Sequence, residues 1–204
     1  MDKKALFNIA SGLYILATSG ASGRAACVIN TVVQVTETPL RLVVAVNKNN
    51  ATHDAIVAAG GFTLSVLDQT ATFDTIRHFG FQSSRDVDKF AESPAGVQEV
   101  DGMPALAAQS NAVIACRVVS VTDLGTHSLI LADVTDARIL SDKKTLTYDD
   151  YQKNVKPKPQ TPASKKTVWR FEICGFEIEA DELSPEYLCP WCGHGIDAFV
   201  KVSG

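Results

Sequence analysis

Three cysteines near the end of the chain have the residue type and spacing that bind a metal ion. Cys189 and Cys192 form a CxxC pair, and Cys174 precedes them at a distance that suits a second pair. Cysteine ligands of this kind hold zinc or iron in tetrahedral sites of four thiolates. The residue three before Cys174 is Phe171, so the pattern supplies only three of these ligands.

Three interpretations of this incomplete pattern remain open. The metal site has been lost, for which a single-base change from a Cys to a Phe codon is sufficient. Alternatively, three thiolates bind a metal whose fourth ligand is water, His194 or a carboxylate such as Glu172, an arrangement that suits zinc better than iron. In the third interpretation the cysteines are reactive thiols, or two of them pair as a disulfide.

The elements that precede these cysteines are mostly strands. Stretches rich in Val, Ile, Leu and Thr are bounded by Gly, Pro, Asn or Asp. They read "LYILATS", "AACVINTVVQVT", "LRLVVAVN", "FTLSVL", "NAVIACRVVSVTDL" and "HSLILADVTDARIL". Helices are predicted in "KKALFNIASG", "ATHDAIVAAG" and "QTATFDTIRHFG". So many strands with so few helices predict a mainly β fold, a barrel rather than a doubly wound sheet.

The sequence also predicts two domains. Residues 1–150 carry the strands, and residues 151–167 are rich in proline and lysine, which predicts a solvated linker. Residues 168–204 are too few for a large core, and domains of that size usually need a metal or disulfides.

Composition excludes several classes of function. The net charge of -4 provides no basic surface for nucleic acid, and no GxGxxG or P-loop motif is present. The first twenty residues match neither a signal peptide nor a membrane-spanning helix. We therefore expect a cytoplasmic protein that binds neither nucleic acid nor membrane, with the isolated Cys27 and Cys116 as free thiols.

Polar residues interrupt one of the apolar stretches. Asn30, Thr31, Gln34 and Thr36 place amides and hydroxyls in an otherwise apolar segment, where they need partners. They suit the binding of a polar ligand, or they point outward from a half-exposed strand.

Two further segments have the residue types that hold a phosphate. "NKNNATH" begins a predicted helix with Asn50 as its N-cap, and its cluster contains Asn47, Lys48, Thr52 and His53. The alternative is a capped helix with a solvated lysine.

The second segment is the loop "QSSRDVD", in which Ser83 and Ser84 precede Arg85. A guanidinium beside two hydroxyls suits phosphate, and the alternative is an ion pair of Arg85 with Asp86 or Asp88. His127 opens a predicted strand, where a histidine is otherwise an ordinary hydrogen-bonding residue.

Four stretches in this order, "VINTVVQVTETP", "VAVNKNNATHDAI", "HFGFQSSRDVDKF" and "GTHSLILADV", resemble the flavin reductase-like family. In particular, the whole chain is similar to the branch that joins an FMN-binding split β-barrel to a rubredoxin-like domain, the high-molecular-weight rubredoxins. "CPWCGHGIDAF" resembles the second metal knuckle of that domain.

The resemblance implies a homodimeric oxidoreductase that binds FMN and transfers electrons from NAD(P)H, or from a partner reductase, to an acceptor protein or small molecule. It implies flavin contacts for "NTVVQVT", including Val32 and Val33, and a place beside the flavin for His127 as the candidate catalytic residue. Iron or zinc in the tail is doubtful because Phe171 replaces a cysteine. The alternative function is a non-catalytic dimeric scaffold whose zinc-ribbon-like tail binds a partner.

Overall fold

The chain folds into two compact units, Met1–Lys156 and Pro157–Gly204. The computed structural model describes residues 1–21, 23–157, 167–172, 175–180, 182–191 and 195–203. No helix in these ranges is both long and apolar enough to cross a membrane.

The first unit is built on one antiparallel sheet of seven strands, in the order β2-β1-β5-β8-β9-β4-β3. The strands are β1 (Tyr14–Gly20), β2 (Gly23–Ile29), β3 (Val32–Thr36), β4 (Arg41–Asn47), β5 (Gly61–Leu67), β8 (Ser110–Asp123) and β9 (His127–Ile139). A separate hairpin consists of β6 (Val97–Val100) and β7 (Met103–Leu106). The prediction of a mainly β fold is confirmed.

The sheet must curl, because its two edge strands are neighbours in sequence. Only Asn30 and Thr31 separate the end of β2 from the start of β3, yet these strands lie at opposite edges. Two residues span at most about 11 Å between the flanking Cα atoms. The edges therefore approach each other at this end, and the sheet closes around its own apolar face as a barrel.

The barrel has an interior core and an outer layer. Side chains from six strands meet inside it, among them Leu16, Val44, Phe62 and Ile130, which are fully buried. A second cluster covers the outside of β1 and β2, where residues such as Phe79 and Phe90 pack from the segment after β5. Between them, these two clusters position β2 and the loop beyond it.

Two α-helices follow the capping rules that the sequence predicts. In α1 (Ala51–Ala59) the Asn50 side chain accepts a bond from the Thr52 backbone N, and Gly60 ends the helix at φ 71°. In α2 (Phe73–Gly80) the Thr72 hydroxyl accepts from the Thr75 N. The predicted N-terminal helix is a 3-10 helix, Lys3–Asn8.

Three sequence-based boundaries need correction. "AACVINTVVQVT" forms two strands rather than one, since the chain crosses between sheet edges at residues 30–31. The β6–β7 hairpin was not predicted. The linker predicted for 151–167 begins later, because Tyr148–Asp150 and Tyr151–Val155 form a continuous helical segment that buries Tyr151 in the outer cluster.

The second unit contains a three-stranded antiparallel sheet of β10 (Val168–Phe171), β11 (Glu177–Glu179) and β12 (Phe199–Ser203), with β10 in the centre. Its core is a cluster around Phe171, Cys189 and Phe199. Most of the predicted linker, residues 158–166, lies outside the described residues.

Candidate functional site

The turn between β4 and α1 concentrates polar groups at the start of a helix. The Asn47 side-chain oxygen accepts a bond from the Asn49 backbone N at 2.9 Å, and the Asn50 oxygen accepts from the Thr52 N at 3.2 Å. Two side-chain amides therefore fold the turn locally. Because helix N-termini present N–H groups and a positive dipole end, this turn favours an anion.

The loop after α2 brings Arg85 to this turn. Its guanidinium donates to the Asn49 carbonyl oxygen at 3.1 Å and to the Asp54 carboxylate at 3.2 Å. The Ser83 hydroxyl accepts a bond from the Arg85 backbone N at 3.1 Å, which folds the loop. The sequence suggested an ion pair of Arg85 with Asp86 or Asp88, but Arg85 pairs with Asp54 instead.

Asp88 instead pairs with Arg24 of β2, whose Nε lies 3.1 Å from the carboxylate. The loop that carries Arg85 is therefore tied to β2 by a second arginine and aspartate.

A chain of hydrogen bonds extends from Arg85 into the barrel. Asp54 lies 2.9 Å from His53 Nδ1, and His53 Nε2 lies 2.9 Å from the Ser128 hydroxyl at the start of β9. The hydrogen bond from His53, followed by the charges of His53 and Arg85, holds the pKa of Asp54 below its usual range. Ser128 is buried, so this chain connects an exposed cation to the sheet.

Lys48 and His127 lie on the other side of the turn. Lys48 Nζ bonds Asp123 at 2.8 Å, and that bond lowers the pKa of the carboxyl. His127 is the register partner of Asn47, and its Nδ1 lies 2.9 Å from the Thr126 hydroxyl. The structure therefore places the predicted Asn47, Lys48 and His127 side by side.

Ser84 and Lys89 fasten the Arg85 loop to β2. The Ser84 hydroxyl accepts from the Ala26 backbone N at 3.1 Å and donates to the Ala26 carbonyl at 3.3 Å. Lys89 is 2% exposed, and its Nζ donates to the Ala26 and Phe79 carbonyls at 2.7 Å. Burial lowers the pKa of Lys89 to about 8.

Sequence reasoning missed Lys89, Asp54 and Ser128. A lysine between an aspartate and a phenylalanine is usually a surface residue, and each of the three has a partner far away in sequence: Ala26 for Lys89, Arg85 for Asp54 and His53 for Ser128. Ser84 was predicted as a phosphate ligand, but its hydroxyl is already engaged by the Ala26 backbone.

Thr52 is completely buried beneath the turn, beside Cys27. Its hydroxyl has no nitrogen or oxygen partner among the described residues. Burial raises the pKa of Cys27 to about 11, against the smaller opposing influence of Thr52 and of the Lys89 charge. The side-chain hydrogen bond of Thr52 to Cys27 is the largest of these opposing influences, so the Thr52 hydroxyl faces a thiol of the barrel core.

The structure does not connect the predicted residues of "NTVVQVT" to the α1 turn by any hydrogen bond described for them. Thr31 bonds Asn30, Gln34 bonds the Thr36 carbonyl, and Thr36 bonds the Pro39 carbonyl. This set lies on the β2–β3 connection and on edge strand β3, mostly exposed, and consists of Asn30, Thr31, Val32, Val33, Gln34 and Thr36.

Of the three predicted metal ligands, Cys174 and Cys192 lie outside the described residues, as does His194. Cys189 is described and is buried. Within the described part of the chain, no group of three His, Cys, Asp or Glu side chains could hold a metal ion.

Comparison with known proteins decides the family. The family model described as "Flavin reductase like domain" matches residues 6–156. The chain belongs to the flavin reductase-like family. The prediction of a flavin reductase-like oxidoreductase that carries out flavin-linked electron transfer is thereby confirmed.

Two relatives extend this result. This flavin reductase-like chain is 32% identical to the "High molecular weight rubredoxin" of Moorella thermoacetica, over 99% of this chain and 100% of the relative. It is 36% identical to the "Ferric-chelate reductase (NAD(P)H)" of Archaeoglobus fulgidus, over 79% of this chain and 94% of that protein.

A solved structure supports the fold. The NADH:FAD oxidoreductase of Streptomyces globisporus superposes with a TM-score of 0.63 at 20% identity, covering 71% of this chain and 85% of that one. The barrel of this flavin reductase-like protein therefore has the architecture of a known flavin reductase.

Proposed function

We propose that this protein is an FMN-dependent reductase that passes electrons from NAD(P)H, or from a partner reductase, to an acceptor protein or small molecule. The observation that carries the proposal is the α1 turn, where Arg85 and Lys48 flank a helix N-terminus. When bound, FMN supplies the hydride and single-electron chemistry. The protein supplies binding, orientation and charge.

The two cations keep donors beyond those that their protein partners use. A guanidinium has five N–H donors and an ammonium three. Arg85 uses two groups, on Asn49 and Asp54, and Lys48 reaches one carboxylate, on Asp123. Both side chains are partly exposed, so the remaining donors suit the dianionic phosphate of FMN.

The uncharged groups of the turn would complete the phosphate site. Asn47 and His53 hold its backbone and Arg85 in place. Ser83 and Ser84 fold and anchor the loop of Arg85 rather than contact the phosphate directly.

The ring and ribityl chain of FMN would extend along the exposed segment between β2 and β3. Its amides and hydroxyls make only short-range bonds, at Asn30, Thr31, Gln34 and Thr36, and Val32 and Val33 offer apolar surface between them. His127, whose ring is oriented by Thr126, would lie beside the flavin or nicotinamide.

The apolar residues exposed on the barrel support a homodimer. On β3 and the adjoining turn these are Val33, Val35 and Leu40, and around the β8–β9 hairpin they are Val119, Val121 and Leu124. In the homodimer that we propose, a second copy of the chain would cover these side chains.

The test begins with purified full-length protein. We expect a yellow flavin spectrum, or binding of added FMN that quenches flavin fluorescence. Under anaerobic conditions NADH or NADPH should bleach the bound flavin. Bleaching by neither nucleotide would assign the donor role to a partner reductase, and failure to bind FMN would refute the proposal. Bound zinc without flavin would instead indicate the scaffold function.

A further inference from the structure

The tail unit differs from a thiolate metal module at one position whose surroundings are well described. Phe171 stands where the pattern requires the first cysteine, and its side chain is 0% exposed. Its ring packs edge-on against Phe199, with the centroids 5.0 Å apart and the planes at 64°. A phenyl ring has no lone pair for a metal, so the residues here do not fit a four-thiolate site.

The turn that follows Phe171 is closed by its own backbone. The Phe171 N donates to the Phe176 carbonyl at 2.7 Å, and the Gly175 N donates to the Phe171 carbonyl at 2.8 Å. Gly175 has φ 69°, the left-handed conformation that glycine adopts without strain. These bonds join Phe171 to Gly175 and Phe176 through peptide groups.

Aromatic side chains fill the centre of the unit. Phe176 packs against Trp191 at 5.2 Å, and Tyr187 packs against Phe199 at 5.7 Å. The Trp169 indole N–H donates to the Ala180 carbonyl at 2.9 Å. Edge-to-face pairs of this kind add to the stabilisation from burial alone.

We propose that the tail unit folds without a metal, on an aromatic core in which Phe171 takes the place of a ligand. Small domains usually need a metal or a disulfide because they bury little apolar surface. Here Phe171, Cys189 and Phe199 form the buried centre, and larger aromatic side chains surround it. This proposal concerns the tail alone and does not depend on flavin binding by the barrel.

The positions of the tryptophans make the test direct. The chain has two tryptophans, Trp169 and Trp191, and both belong to the tail cluster. Tryptophan fluorescence of the full-length protein therefore follows unfolding of the tail, and flavin titration of the same sample follows the barrel.

We expect protein expressed with ample iron and zinc to contain less than about one metal ion per ten chains by mass spectrometry. The tryptophan melting midpoint should be the same with and without a strong chelator. Stoichiometric iron or zinc together with a chelator-induced fall of the midpoint would overturn the proposal. A tail already unfolded at low temperature without metal would also overturn it.

Two variants at one position sharpen the result. Phe171→Leu should lower the tryptophan midpoint by several degrees and leave it insensitive to chelator, because the loss is one of packing. Phe171→Cys should lower the tryptophan midpoint of the metal-free protein further. Added iron or zinc should restore part of that loss. If Phe171→Leu left the midpoint unchanged, the ring would not be part of the stabilising core. Should Phe171→Cys fail to fold, the wild-type and Phe171→Leu measurements still decide the matter.

Discussion

The barrel and the tail differ in the side chains that stand at their candidate cofactor positions, which are polar in the barrel and apolar in the tail. At the α1 turn of the barrel, Arg85 and Lys48 have hydrogen-bonding capacity that the described protein groups do not use up. In the tail, Phe171 stands where the cysteine pattern would place a fourth ligand, and its ring is fully buried against Phe199. The barrel therefore resembles a binding site, and the tail resembles an apolar core.

The polar groups of the proposed phosphate site are supported by other groups of the barrel. Arg85 is held by Asn49 and by the chain through Asp54, His53 and Ser128, so its charge is oriented before any ligand arrives. Replacing one thiolate by a ring removes a metal's fourth bond but adds apolar burial, which a small domain can use directly.

The largest expected effect is a loss of stability in the barrel that leaves the stability of the tail unchanged. Lys89→Met removes the buried donor shared by the Ala26 and Phe79 carbonyls, of which Ala26 keeps the Ser84 hydroxyl, and should lower the free energy of unfolding of the barrel by about 2–4 kcal/mol. Urea unfolding by far-UV circular dichroism measures this, and the tryptophan transition of the tail should not move.

The matched control is Lys153→Met, which removes an exposed lysine paired with Asp149 and should change stability by less than about 0.5 kcal/mol. Equal shifts of the circular dichroism and tryptophan transitions in Lys89→Met would show that the two units do not unfold independently.

Next in size is the loss of phosphate recognition. Arg85→Ala should weaken FMN binding by about 10- to 100-fold, because it removes charge-assisted bonds to the phosphate. Riboflavin, which has no phosphate, should bind the variant and the wild type about equally. Titrations followed by flavin fluorescence give both affinities.

Arg77→Ala serves as the control, since Arg77 is an exposed arginine of α2 that pairs with Asp74. Equal losses of FMN and riboflavin affinity in Arg85→Ala would place Arg85 away from the phosphate.

A smaller effect comes from pH. Burial raises the pKa of the Cys116 thiol in the folded barrel to about 12, whereas in the unfolded chain it lies near 9. The unfolded chain therefore loses this proton first, and the stabilising contribution present below pH 9 disappears as the pH rises towards 12.

From pH 8 to pH 10 the wild type should lose about 1 kcal/mol of stability relative to Cys116→Ala. Urea unfolding of both proteins at the two pH values, followed by far-UV circular dichroism, measures the difference. A stability gap that stays constant between the two pH values would contradict the expectation.

The smallest expected effect concerns the partner of Arg85. Asp54 places a negative charge beside the cation, at the partly exposed end of the hydrogen-bond chain. Asp54→Asn keeps a side chain that can bond Arg85 and removes the charge, so FMN should bind about two- to fivefold more tightly at low ionic strength. The gain should shrink with added salt and be absent for riboflavin; weaker FMN binding would show that the charge is needed to position Arg85.

Much of the architecture was predictable because local patterns determine it. β4 alternates buried and half-buried side chains, α1 has an Asn cap and a glycine end, and both were found in the sequence. The break between β2 and β3 at Asn30 and Thr31 was not predicted, because β-branched residues follow it. The closure of the sheet requires this break, and local sequence does not show it. β6 and β7 were missed because each has four residues and β7 contains Pro104.

The sequence predicted the residue types of the candidate site better than the contacts between them. The sequence pointed to Arg85, Lys48 and the α1 turn, but it suggested neighbouring aspartates as partners for Arg85, whereas the fold supplies Asp54. Likewise Lys89 looked like a surface lysine, and only the approach of β2 and α2 provides the two carbonyls that hold it. Contacts between distant segments cannot be read from local spacing.

The attachment of the Arg85 loop to Ala26 has a consequence for solubility. β2 is an edge strand of the sheet, and unsatisfied peptide groups on an edge strand can pair with a strand of another molecule. Ser84 and Lys89 occupy the outward-facing N–H and C=O of Ala26 at the middle of that edge. Because these two groups are already bonded, strand addition at this point would first require the loop to detach, and we expect mutations that loosen the loop to increase self-association of the protein.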